Sequence, residues 1–294
     1  MALPSSGPLS ISAIRNEEVN VGGLSSTYSL RTLSSQAGKS TPDSISEFYG
    51  YSAATSYYKY GSPFMLFDFA STTDYSNSGT AIKDLSGNAN DGVFVTGTGK
   101  GSPTTVNGYS STAPGTLRLN NPDQGTGQYS VRLVNTAQFN GTQAHTMVAW
   151  VNYINHNAGT YPGIFSSDQN PYGWEINISN ESPKRFFVER FGAGAVVANF
   201  GSDLPAFAYN TWYMASLRYN GTAASIDLYM GGTRYTFSAN IGGISTQDVF
   251  GPSMGLRYND WINGYFGYAA GYTSDIGTTG IDAIYNATKA RYGY

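Results

Sequence analysis

Between Trp212 and Phe237, three short runs of alternating apolar and polar residues are separated by two dipeptides suited to reversing the chain. Tyr213, Ala215, Leu217 and Tyr219 alternate in the first run, and Asn220-Gly221 follows. Ile226, Leu228 and Met230 alternate in the second, and Gly231-Gly232 leads into the third, Thr233 to Phe237. A period of two puts one set of side chains on one face. Asn-Gly between such runs is the strongest local hairpin signal a sequence carries. A chain with this meander must bury one face of an antiparallel sheet against another layer. Upstream, Thr146-Met147-Val148-Ala149-Trp150-Val151 is apolar on both faces, which predicts a central strand covered from both sides.

From Phe64 onward the pattern stays β, with strands of five to eight residues, until Ile281 to Arg291, which predicts one short amphipathic helix. Many short strands and a single late helix predict a mostly β chain, a two-sheet antiparallel sandwich. The composition agrees: 36 glycines and 24 tyrosines stand in a chain only 12% charged, so polarity comes from residues that also make turns. There is no cysteine, so burial alone must hold the fold. The net charge of −3 gives no drive toward a polyanion. The densest basic group, Lys184, Arg185 and Arg190, reads as a solvated strand face, so no nucleic-acid partner is expected. No apolar run approaches the roughly 20 residues that cross a bilayer, so no membrane partner is expected either. Met1 to Gly7 has neither a basic region nor an apolar one and is not a signal peptide, which predicts synthesis and folding in a cytoplasm.

Residues 1–52 differ from the rest. Pro8-Leu9-Ser10-Ile11-Ser12-Ala13-Ile14 is echoed by Pro42-Asp43-Ser44-Ile45-Ser46-Glu47-Phe48. In the second copy Ser44 and Glu47 fit a capping box, which predicts a short helical turn, with a similar one in the first copy. Neither piece carries enough apolar surface to offset the entropy of ordering it alone, so the segment must borrow a surface. The expected division is an attachment segment at 1–52, a linker at 53–63 with Gly61 and Pro63 as breakers, and a β domain at 64–294.

An ordered series of motifs spans the β domain. It runs from Leu66-Phe67-Asp68-Phe69 through Asp84 to Gly92, Leu117-Arg118-Leu119 and Thr146 to Val151. It continues with Gly163 to Ser166, Asn210 to Tyr213, Ile226 to Gly232, Gly264 to Gly267 and Ile281 to Asn286. In order and spacing this series resembles the concanavalin A-like lectin/glucanase superfamily in its laminin-G-like branch. That resemblance covers about three quarters of the chain and implies a jelly-roll sandwich, often used to bind glycans or proteins. The N-terminus, Met1 to Gly7 with Phe48-Tyr49-Gly50-Tyr51-Ser52, resembles a segment recurrent in tailed-phage structural proteins, with Tyr51 where a lysine is usual. It implies a virion component and does not say whether head, neck or tail.

Glycosidases on this fold carry paired carboxylates along one strand. The nearest match, Glu175-Ile176-Asn177-Ile178-Ser179-Asn180-Glu181, has an amide at the centre. Its two glutamates would lie about 20 Å apart in a regular strand, too far for either glycosidase geometry. Gly251 to Gly255 matches G-x-S-x-G around Ser253, but Leu256 to Asp260 reads as turn or strand, not helix, and nothing ties His145 or His156 to the serine. Ala37-Gly38-Lys39-Ser40-Thr41 lacks the first glycine of a phosphate loop, Leu33 standing there instead. No catalytic residue and no cofactor is therefore expected. Asp84 to Asp91 is dense in oxygen ligands; it reads as a turn whose side chains bond their own backbone, with calcium as the open alternative. Glycan binding needs exposed aromatic rings beside amides or carboxylates. Tyr258, Asn259, Asp260 and Trp261 form the first such group, and Tyr172 and Trp174, with Tyr161, the second.

Together these features point to a non-enzymatic phage virion protein, such as a capsid decoration, head fibre, neck whisker or tail appendage. Residues 1–52 would join other virion proteins, and self-association, for instance as a trimer, would suit an appendage. A carbohydrate-binding adhesin for host-surface or mucus glycans is the alternative, and a polysaccharide depolymerase the outsider.

Overall fold

The computed structural model describes residues 8, 10, 14, 30–31, 44–49, 58–70, 80–96, 109–110, 115–121, 129–133, 139, 143–155, 161–166, 173–178, 186–191, 208–240, 253–257 and 260–294. In chain order the first strands are β1 (Met65–Asp68), β2 (Ala81–Ile82), β3 (Gly92–Thr96), β4 (Tyr109–Ser110), β5 (Thr116–Leu119) and β6 (Tyr129–Arg132). Then come β7 (His145–Asn155), β8 (Gly163–Ser166), β9 (Gly173–Ile178), β10 (Phe186–Phe191), β11 (Trp212–Tyr219) and β12 (Ala223–Met230). The last are β13 (Thr233–Asn240), β14 (Ser253–Met254), β15 (Leu256–Arg257), β16 (Asp260–Trp261) and β17 (Asn263–Tyr272). Helix α1 (Gly277–Thr288) and a 3-10 turn (Lys289–Tyr292) close the chain.

The strands form two antiparallel sheets, the jelly-roll sandwich expected from the sequence. One has the order β13-β12-β11-β7-β17-β5-β4, with β1 also paired to β17; the other runs β10-β9-β8-β14-β6-β3-β2. Strand β7 sits inside the larger sheet between β11 and β17. Met147, Ala149 and Val151 face the opposite sheet, and Val148 and Trp150 face out, yet all five are buried. The outward face is covered by α1 and the 3-10 turn after it: the Trp150 ring stacks on Tyr285 and Tyr292, at centroid distances of 5.6 and 4.5 Å. That cover is why the strand is apolar on both sides.

Across the meander, register puts Tyr213, Ala215, Leu217 and Tyr219 on the inner face with Ala224, Ile226 and Leu228. Tyr213 meets Phe186 of the other sheet edge-on, the ring centroids 5.8 Å apart. The first turn closes on Asn220 and Ala223, so its two central residues are Gly221 and Thr222, one position later than Asn-Gly suggests. Gly221 has φ +99°, as a type II′ turn requires of its first central residue, while Asn220 Oδ1 accepts from the Thr222 and Ala223 N–H groups. The second turn is Gly231-Gly232, both with positive φ, the pattern of a type I′ turn.

Helix α1 starts four residues ahead of the apolar periodicity, at Gly277. Asp275 Oδ1 accepts the Gly277 N–H at 2.9 Å, which offsets the poor helix propensity of a first turn holding two glycines. In the N-terminal segment Ile45–Phe48 form a 3-10 turn and the Ile14 N–H donates to Ser10 O at 3.1 Å, so both copies of the echo are helical where described. Their equivalent last residues, Ile14 and Phe48, are both fully buried, and neither belongs to the apolar core of the sandwich. Tyr58 does belong to that core, and Lys59 Nζ donates to Ser86 O, so the end of the 53–63 stretch packs on the sandwich.

Candidate functional site

The Asp84 to Asp91 turn is a closed clasp. Asp84 Oδ1 accepts the Leu66 and Ser86 N–H groups at 2.8 Å each, and Oδ2 accepts Ser86 Oγ at 2.6 Å and the Asn90 N–H at 2.9 Å. Asp91 accepts the Asp84 N–H, and Asn88 and Asn90 donate to Phe64 O. The side chains bond backbone, as the turn reading has it, and they pin β1 to the start of β3.

Glu175 and Asn177 lie on the face of β9 opposite the inward Ile176 and Ile178, and all four are fully buried. Among the described residues both polar atoms of the Asn177 amide lack a hydrogen-bond partner. Glu181 lies outside the described residues. Ser253 sits in the two-residue strand β14 between β6 and β8 and is followed by another strand, so no nucleophile elbow forms there. His145 is packed between the Phe139 and Tyr219 rings.

One rim of the larger sheet brings polar and aromatic groups together. Strands β15 and β16 form a small hairpin in which Trp261 lies opposite Leu256 and Asp260 opposite Arg257. Asp260 Oδ2 accepts the Tyr161 N–H at 2.9 Å, so the backbone of one member of the second aromatic group is tied to the first. Trp261 is half-buried. Tyr258, Asn259 and Tyr172 lie outside the described residues; Trp174 is on β9 opposite Arg190, and its side chain lies outside the description too.

The hairpin feeds through Ile262 into β17, and there the rim gains residues that the sequence reading did not name as site residues, Arg118 and Tyr265 entering it only as parts of fold motifs. Arg118 on β5 donates from Nη1 to Gly264 O at 3.1 Å and to Leu119 O, and from Nη2 to Asn263 Oδ1 at 2.7 Å and Asn120 Oδ1 at 2.9 Å. Its guanidinium lies 4.9 Å from the centroid of the Tyr265 ring, a cation–π distance. Burial pulls the Arg118 pKa down, with Tyr265 acting in the other direction. Asn263 Nδ2 donates to Asn155 Oδ1 at 2.5 Å. Register extends the cluster along one outward row, Arg118 to Tyr265 to Asn152 to Trp212, on four neighbouring strands. Three steps of about 4.8 Å make that row about 14 Å long. Tyr209, an exposed ring 5.8 Å from Tyr153, stands at the same rim, its neighbour Asn210 donating its N–H to Tyr153 O. One signal marked Arg118 in the sequence: a cation between Leu117 and Leu119 in a chain poor in charge must face away from the core those leucines enter.

Chemically the rim offers half-exposed rings, a guanidinium and amides in fixed orientation. That set stacks on an apolar ring face and donates hydrogen bonds around it.

No family model matches the chain, and no curated protein matches it in sequence. Among solved structures it is similar to domain 4 of AbnA, a GH43 extracellular arabinanase from Geobacillus stearothermophilus, in complex with arabinotriose. The TM-score is 0.54 at 13% identity, covering 77% of this chain and 99% of that domain. It is also similar to the botulinum neurotoxin serotype D binding domain, with a TM-score of 0.50 at 13% identity, covering 76% of this chain and 50% of that one. At these identities the likeness is one of fold.

Proposed function

We propose that the sandwich is a non-enzymatic, lectin-like carbohydrate-binding domain and that its ligand sits on the rim formed by β5, β7, β16 and β17. The observation that carries this is the half-buried Arg118 against the half-buried Tyr265 ring, with the amides of Asn120, Asn263 and Asn155 fixed around it, Trp261 two residues before Asn263 and the exposed Tyr209 packed on Tyr153 of the adjoining strand. Rings that present a face to solvent next to fixed hydrogen-bonding groups are the arrangement sugar recognition needs. The fold supports the reading, because the similar domain of the arabinanase holds an arabinotriose. A non-enzymatic role is supported by the full burial of Glu175 and by the amide two residues beyond it. A glycan array probed with the full chain should give signal that falls about tenfold when Trp261 or Tyr265 is changed to Ala, a loss of about 1.4 kcal/mol per ring. No signal on any host or mucus polysaccharide would set the reading aside.

A second proposal concerns the particle: the domain is displayed on a tailed-phage virion through residues 1–52. The support is the resemblance of Met1 to Gly7 and Phe48 to Ser52, together with Ile14 and Phe48, which are buried apart from the sandwich core. Deleting residues 1–52 should leave a folded sandwich that no longer joins particles; normal incorporation would overturn the proposal.

A further inference from the structure

We infer that Arg118 and the amides it orders bind a carboxylate, so that the glycan taken at this rim carries acidic sugar residues; the inference rests on the glycan reading above. Arg218 sits on Asp227 and Asp275, Arg234 on Asp282 and Arg291 on Asp68. Arg118 differs. It is partly buried between Leu117 and Leu119, and its four donor contacts go to neutral oxygens, two carbonyls and two amides. Among the described residues no carboxylate touches it, and the neighbour acting on its charge is the Tyr265 phenol. A cation drawn partly out of water without an anion is costly, and an acidic ligand would remove the cost.

The amides point to the same ligand. A guanidinium only donates, so the orientation of Asn120 and Asn263 is forced: each turns its oxygen toward Arg118 and its amino end away. Asn263 passes that polarity on, since its amino end faces Asn155 Oδ1 and leaves the amino end of the exposed Asn155 turned away from the cluster. The donors left for a ligand are therefore the amino ends of Asn120 and Asn155, beside a positive charge whose Nη groups are already spent on neutral oxygens, a set that suits an acceptor-only carboxylate. Tyr265, half-exposed beneath the guanidinium, supplies a ring face for the sugar that bears it.

The test is an array of matched pairs: oligo-uronates with their methyl esters, and sialylated oligosaccharides with their desialylated forms, probed with the full chain. The acidic member of at least one pair should be retained about tenfold more strongly, the size of one charge-assisted contact. Asn120→Asp should abolish that preference by supplying Arg118 with a carboxylate from within, and its thermal midpoint should not fall. Arg118→Met should also abolish it. Equal binding of both members of every pair would overturn the inference and leave the glycan reading standing. A preference that survives Asn120→Asp would overturn the assignment to this cluster. Binding to no member of any pair would overturn the inference, while the glycan reading would stand or fall on the wider array.

Discussion

Trp150 Nε1 donates to Thr288 Oγ1 at 2.7 Å, and that hydroxyl donates on to Ile284 O at 2.7 Å. A central strand and the last turn of α1 are thus joined by a relay between fully buried groups. Thr288→Val keeps the shape and removes the acceptor, leaving an indole N–H buried without a partner. The expected loss is about 1–3 kcal/mol in chemical denaturation. Thr288→Ser retains the hydroxyl and should recover most of it. Equal stability of Thr288→Val and the parent would mean that ring stacking on Tyr285 and Tyr292 alone seats the helix.

The outward face of the meander carries a second buried junction. Arg218 Nε lies 2.6 Å from Asp227 Oδ2, Thr236 Oγ1 donates to Asp227 Oδ1 at 2.6 Å, and Arg218 Nη1 reaches Asp275 ahead of the helix. Asp227 is fully buried, so removing its cation strands a charge. Arg218→Met should cost about 3–5 kcal/mol, while the double variant Arg218→Met, Asp227→Leu should recover much of it. Urea midpoints of the two variants decide between a pair that stabilises and one that only tolerates burial.

Burial pushes the His145 pKa down to about 4, against a weaker opposing pull from Gln143 O. The folded state therefore keeps the imidazole neutral where the unfolded chain, with an ordinary value near 6.5, takes up a proton. Between those two values the unfolded state binds more protons, so stability falls as the pH drops from about 6.5 toward 4 and levels off below. The full effect is on the order of 3 kcal/mol. Thermal midpoints of the parent should fall across that window, and His145→Phe should flatten the fall attributable to this group.

Much of the fold was legible because period and turn chemistry agree. Ile226 and Leu228 face the core where alternation puts them, and Gly231-Gly232 turns where it should. Trp150 was legible as buried and Ile281 to Arg291 as a helix, but not that one covers the other, since Thr288 stands 138 residues further along the chain. The Asp84 clasp was legible because short polar side chains bond nearby backbone. The rim was only partly so. Asp260 and Trp261 stand in one local phrase, but their complement comes from Arg118, Asn155 and Tyr265 on three other strands, joined only by sheet register. No short window of sequence contains that register, and the bulges in the β7–β17 pairing at Asn263/Gly264 and Phe266/Ala269 shift it further.

The rim hairpin depends on Gly255. Its φ is +78°, and a Cβ there would lie 2.2 Å from Leu119 Cδ1 and 3.0 Å from Ile262 Cγ2. Gly255 N donates to Ile164 O and its carbonyl accepts from Ile262 N, so this residue sets where β15 and β16 leave the smaller sheet. Gly255→Ala strains the left-handed backbone by about 1–2 kcal/mol and also forces the Leu119 side chain to shift. Leu119 follows Arg118 directly, so moving it disturbs both sides of the rim, the Trp261 hairpin and the guanidinium cluster. The expected outcome is a midpoint lowered by several degrees together with a loss of glycan signal larger than the loss of folded protein. Gly221→Ala, in a turn at the far end of β11, also strains a positive φ and should lower stability while sparing the signal of the fraction that stays folded. If the two variants lost signal in equal proportion to folded protein, the hairpin would be ordinary scaffold and the rim would have no special claim on the ligand.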